Sequence, residues 1–178
     1  MYRDILKFWF EEIKPAQRWK KDDDFDRLIV DRFADIYRQA ACCELFQWRE
    51  SAQGRLAEII VLDQFSRNMF RASPLSFVHD PLALALSQEA ISVKADEALS
   101  PIERSFLYMP FMHSESLKIQ TISVELYRKN GLQDNLDFAI KHKNIIEKFG
   151  RYPHRNSTLG RTSSEQEIEF LRQPGSRF

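Results

Sequence analysis

Cysteine is scarce in this chain. Cys42 and Cys43 are its only two among 178 residues, and their adjacency rules out a disulfide framework, because neighbouring Cα atoms sit about 3.8 Å apart, short of the usual disulfide separation. The Cys-x-x-Cys spacing of a redox pair is missing too, so both are expected to pack as small apolar residues near a helix end. Net charge is also absent: Lys plus Arg and Asp plus Glu each number 26, which leaves no broad basic face to attract nucleic acid. Apolar runs stay short, and Leu56 to Leu62 is interrupted by Glu58, far from a membrane span. The opening Met1-Tyr2-Arg3-Asp4 lacks a secretory pattern. The expectation is a cytoplasmic protein with no nucleic-acid or membrane partner. Its length predicts a single domain over 1–178 that buries roughly two thirds of its unfolded surface.

What is present is helical periodicity. Asp4 to Ile13 reads as a first helix ended by Pro15, and Asp22, Asp23 and Asp24 cap a second from Phe25 to about Cys43. Phe25, Leu28, Ile29, Phe33, Ile36, Tyr37 and Ala40 follow the three-or-four spacing of one buried stripe. A third helix, about Gln53 to Phe65, is apolar on nearly every side, as a central helix would be. Asp80-Pro81 opens a fourth that ends near Lys94, and Ser100-Pro101-Ile102-Glu103 opens a fifth with a capping box. A sixth runs from Ser114 to Gly131, a seventh from Asp134 to Gly150, and Ser164 with Glu167 starts a short last one. No convincing strand pair interrupts them. Short connections favour antiparallel neighbours, hence an all-α array of helical hairpins.

Polar groups interrupt the apolar stripes in three helices. Asp63 and Arg67 continue the face of Leu56 and Ile59 or Ile60. They are either an ordinary i, i+4 pair closing a helix end or buried charges that need partners. His142 lies on the inward stripe of Phe138 or Ala139, Ile145 or Ile146 and Phe149, and Gln120 lies among Leu117, Val124 and Tyr127. Beyond Phe149 comes an irregular segment through Arg161 that holds Arg151, His154, Arg155 and Asn156. From Phe149 to Phe178 every basic side chain is Arg, and the same holds for Arg55, Arg67 and Arg71 between Ser51 and Ser76. Bidentate contacts to carboxylate or phosphate favour Arg over Lys. An internal network with Asp63, Glu103 and Glu115 as acids is the alternative use of the same residues.

Three long polar blocks carry a resemblance. Leu62-Asp63-Gln64-Phe65-Ser66-Arg67-Asn68-Met69-Phe70-Arg71, then Glu103-Arg104 with Phe106 to Glu115, then Phe149 to Arg161 resemble the signature blocks of an uncharacterised bacterial family, domain of unknown function 924. Ile5-Leu6-Lys7-Phe8-Trp9-Phe10 and the terminal Pro174-Gly175-Ser176-Arg177-Phe178 fit as well. The resemblance implies a tetratricopeptide-like right-handed superhelix and no established activity. Ser66 stands where that family is expected to have proline, and Cys43 and Ala72 where it is expected to have glycine.

Enzyme templates fit poorly. His113-Ser114-Glu115 contains triad residue types without a Gly-x-Ser-x-Gly elbow, no metal-ligand spacing occurs, and Gly150 and Gly160 flank the loop without a phosphate-cradling pattern. Neither a metal nor a cofactor is expected. Two readings stand. In the first, Arg67, Arg104, Arg151, Arg155 and Arg161, with Asp63, Asn68, Glu115 and Asn156, line a pocket for a small carboxylate or phosphate, and His113, His142 or His154 transfers protons. In the second, a noncatalytic helical adaptor grips a protein segment in a concave groove. Oligomeric state is not legible.

Overall fold

The computed structural model of the chain describes residues 1–176, so Arg177 and Phe178 of the terminal block lie outside the described residues. Every regular element among the described residues is helical. Helix α1 (Tyr2–Lys7) runs on into a π turn at Phe8–Glu12, three residues before Pro15. Helix α2 (Asp23–Ala41) is capped by Asp22, whose carboxylate accepts from the N–H groups of Asp24 and Phe25. Its stripe buries Phe25, Ile29, Phe33, Tyr37 and Ala40, whereas Leu28 is left exposed.

The centre is one long helical path: α3 (Ala52–Ile60), a π turn at Val61–Phe65, and α4 (Ser66–Met69). Helix α3 packs on α1, on α5 (Asp80–Ser92) and on α6 (Pro101–Leu107), so Leu56, Ile59, Ile60, Leu62 and Phe65 are fully enclosed. Burying side chains of this size stabilises the fold by about 1.5–3 kcal/mol each. Phe65 links the aromatic contacts, with ring centroids 5.0 Å from Phe33 and 5.6 Å from Trp9. Gly54 lets the start of α3 sit against the preceding turn: a Cβ there would stand 2.0 Å from the Trp48 carbonyl oxygen. Gly54→Ala is therefore expected to lower stability by about 1–3 kcal/mol, read as a lower urea midpoint at constant slope.

Pro110 divides the expected fifth helix: α6 ends at Leu107, and α7 (Met109–His113) restarts with that proline in its first turn. Helix α8 (Leu117–Asn130) begins three residues later than Ser114, because Ser114 and Ser116 are extended. It forms a hairpin with α9 (Gln133–Phe149), and Gly131 and Gly150 close the two helices in left-handed conformations. A single 3-10 turn at Pro153–Arg155 breaks the loop before α10 (Glu165–Leu171), which carries the Ser164–Glu167 capping box.

A further expectation needs correction. Cys42 and Cys43 are free and exposed rather than packed inside. Cys43 takes φ of 59° and Ala72 φ of 61°, the left-handed region where a Cβ costs roughly 1–2 kcal/mol. These are the two positions where the resemblance calls for glycine, so the backbone has kept a glycine-like shape with other residues in it. No helix of the described residues is long and apolar enough to cross a membrane.

Candidate functional site

A cavity of about 580 Å³ opens between the start of α5, the end of α7 and the loop after α9, lined in part by Phe77, Asp80, His113, Ser114, Glu115 and Arg155. That volume lies within the range of about 300–1,000 Å³ usual for small-molecule sites.

Behind the cavity wall runs a chain of charges. Asp63 sits in the π turn that interrupts the central helix, a distortion that recurs at functional sites. Its side chain is 1 % exposed. Burial opposes its ionisation, but Arg67 and His113 outweigh burial and hold the carboxyl well below its usual range. Arg67 lies 3.2 Å from Asp63 and bonds Asp80 at 3.0 Å, so the pair is an interior link and not an exposed closure of a helix end. Asp80, the first residue of α5, also accepts from Arg155 at 3.3 Å.

His113 ends α7 on the other side of Asp63. Its Nδ1–H donates to Asp63 Oδ1 at 2.7 Å, which fixes the tautomer and leaves Nε2 as the lone-pair atom. That atom bonds no described residue, and the ring lines the cavity. The backbone on both sides of His113 is clamped: the Gln120 amide donates to the carbonyls of Met112 and Ser114, each at 2.7 Å, and the Tyr152 hydroxyl donates to Met112 O at 2.5 Å. Burial, and then Arg67, push the imidazole below its ordinary 6.5 against the pull of Asp63, so the ring is poised neutral. A neutral imidazole oriented by a buried carboxylate is the arrangement of a general base.

The arginine-rich loop divides by what each guanidinium meets. Arg151 meets both oxygens of Glu167, at 2.7 and 2.8 Å, and the Thr162 carbonyl. Arg161 meets both oxygens of Glu115, at 2.7 and 2.9 Å, with Asn156 and the Tyr152 carbonyl. These two and Asn156 tie the loop to the helices. Arg155 differs. Its side chain is 8 % exposed, its Cζ lies 4.6 Å from the ring centres of both Phe77 and Tyr152, and it spends one N–H on Asp80. Its Nε is buried without a hydrogen-bond partner. Both rings lie against the guanidinium, and of its terminal nitrogens only Nη1 is hydrogen-bonded, in a group that lines the cavity.

Other sequence candidates are placed elsewhere. Asn68 joins Arg71 on Asp26, and Arg104 lies beside Tyr108, whose hydroxyl donates to Asp96. Glu103 accepts from the Ser100 N–H in its capping box and meets none of the loop arginines. His142 donates from Nδ1 to the Phe138 carbonyl at 2.8 Å, and burial lowers its pKa to about 3. His154 packs against Tyr152 at 5.4 Å, and burial followed by Arg155 lowers its pKa to about 4. Neither ring lines the cavity. No cluster of three or more His, Cys, Asp or Glu able to hold a metal occurs among the described residues. Sequence reasoning missed Asp80, which reads only as an acid at a helix start, and Phe77 and Tyr152, which read as ordinary aromatics.

A family model described as bacterial protein of unknown function, DUF924, matches residues 5–175. The chain belongs to this family. A solved structure of a protein of unknown function, ATU0120 from Agrobacterium tumefaciens, is 39% identical, covers 96% of each chain and superposes with a TM-score of 0.91. No curated protein matches the chain. Membership of DUF924 thus comes with the fold and without an assigned reaction.

Proposed function

We propose that this DUF924 protein, acting as a single domain with the tetratricopeptide-like arrangement its resemblance implies, uses the cavity to bind a small anionic ligand, with Arg155 as the anion donor and His113 as the proton-transfer group. The observation that carries the reading is Arg155: a deeply buried guanidinium at a cavity wall, held between two rings, with donors unspent. Of the terminal nitrogens only Nη1 is hydrogen-bonded, to Asp80, so an anion in the cavity is met by N–H groups that no side chain has claimed. Asp63 orients and electrostatically supports His113, and Arg67 links that dyad to Asp80 and so to Arg155.

Charge predicts the pH dependence. The groups around His113 are Asp63, Arg67, Asp80, Glu115, Arg155 and the rings of His142 and His154. Arg67 and Arg155 balance Asp63 and Asp80, and Arg161 balances Glu115, while the histidines are neutral. An added anion raises the His113 pKa, so binding takes up a proton. Affinity for acetate is then expected to strengthen by up to about tenfold per pH unit as pH falls through the bound-state pKa of His113, and to level off once pH passes below its free-state pKa, which burial and Arg67 hold under 6.5. Calorimetric titration across that range measures it, and His113→Gln should leave a flat profile. Acetate binding that is equally strong at every pH in the native chain would remove His113 from the site.

A further inference from the structure

The cavity has two chemically distinct parts. Its charged groups are joined by contact, His113 to Asp63, Asp63 to Arg67, Arg67 to Asp80 and Asp80 to Arg155, so they form one polar patch. Ser114 and Glu115, the latter paired with Arg161, also line the cavity, and the remaining wall is apolar, built chiefly by Phe77, Val78, Leu84 and Leu159. Val78 is 53% exposed, an apolar lip that helix packing leaves uncovered. A polar patch that accepts one charge beside an apolar trough matches a ligand with the same division.

We infer that the occupant is an amphiphilic monocarboxylate, whose carboxylate meets Arg155 and His113 and whose hydrocarbon chain lies along Phe77, Val78, Leu84 and Leu159. The inference rests on the anion-binding reading above and narrows it to a ligand class. One negative charge is favoured over two because the patch is already neutral and His113 supplies one compensating proton. A dianion would need a second proton from His142 or His154, and both rings are held neutral by their burial. Carboxylate is favoured over inorganic phosphate because only an organic acid also fills the apolar trough beside Arg155.

The test is calorimetric titration of the full chain with acetate, butyrate, hexanoate and octanoate, beside inorganic phosphate and methyl octanoate. Affinity is expected to rise about three- to fourfold per added CH₂ while the chain covers the trough. Val78→Asn, at an exposed position that tolerates a polar residue, is expected to weaken octanoate severalfold and leave acetate unchanged. Acetate that binds with no gain along the series overturns the apolar-chain inference and leaves the anion reading standing. Phosphate binding more tightly than every carboxylate, or methyl octanoate matching octanoate, overturns the monocarboxylate assignment. Octanoate that binds Arg155→Met as tightly as native marks adsorption elsewhere and overturns it too. Failure of acetate, the longer acids and phosphate alike would bring down the anion reading itself.

Discussion

Asp63→Asn is expected to cost the fold about 3 kcal/mol, near the lower end of what breaking a buried ion pair removes. The substitution keeps the shape of the side chain and lets an amide oxygen still accept from His113, so little is lost through packing. What goes is the negative charge in the π turn of the central path, at a side chain 1 % exposed, against which Arg67 and the Nδ1–H of His113 are both set. Arg67 keeps Asp80 at 3.0 Å, which is why the loss stays at the lower end. A urea titration followed by circular dichroism measures the change. Adding Arg67→Gln should cost less than the sum of the two single losses, by more than about 1 kcal/mol, since each single change strands the other charge. Strict additivity would mean that the two side chains do not compensate one another.

The largest functional effect should come from Arg155→Met, and it should come with little change in stability. Asp80 retains Arg67, and a thioether chain can occupy the space between Phe77 and Tyr152, so the melting midpoint should stay within a few degrees of native, about 1 kcal/mol for a chain of this size. Octanoate affinity, in contrast, should drop by about 30-fold or more, because truncating one member of a buried hydrogen-bonded charge pair costs at least about 2 kcal/mol. Arg155→Lys restores the charge without the fork or the flat stacking surface, and should remain roughly tenfold weaker than native. The same titrations with a thermal melt of each variant decide the matter: a Met variant that binds as tightly as native would place the anion elsewhere, and one that also unfolds would make Arg155 a structural tie like Arg151 and Arg161.

Those three arginines mark how far the sequence could be read. All sit in one loop with the same residue type, and local pattern gave each the same promise. What separates them is the acid each meets, and Glu167, Glu115 and Asp80 come from three different elements. No local spacing encodes that sorting. The helices were far more legible, because their signals are local: the Asp22 cap, the Ser100–Glu103 and Ser164–Glu167 boxes, and the closing Gly131 and Gly150 all act within a turn of the chain. The π turn at Val61–Phe65 left no trace in the pattern, since a single wide turn barely shifts an apolar stripe that is buried on all sides. Asp63 and His142 did stand out, as polar groups on apolar faces, yet the first proved to be a buried acid bonded to His113 and Arg67 and the second a hydrogen-bonded interior ring. Family membership was legible for the opposite reason, since long polar blocks in fixed order carry more information than any one stripe.

The apolar interior is not continuous. Ile145, Ile146 and Tyr152, with Phe149 and Phe170, form a small nucleus separate from the large one around α3. The cavity lies across the seam, with His113 at the end of α7 on one side and Arg155 and Leu159 in the loop beyond Tyr152 on the other. Segments with few shared apolar contacts open at lower free energy than the whole molecule, and a guest that touches both sides favours the closed form by mass action. Occupancy would then act as a latch, slowing amide exchange in the C-terminal segment while α3 stays as it was.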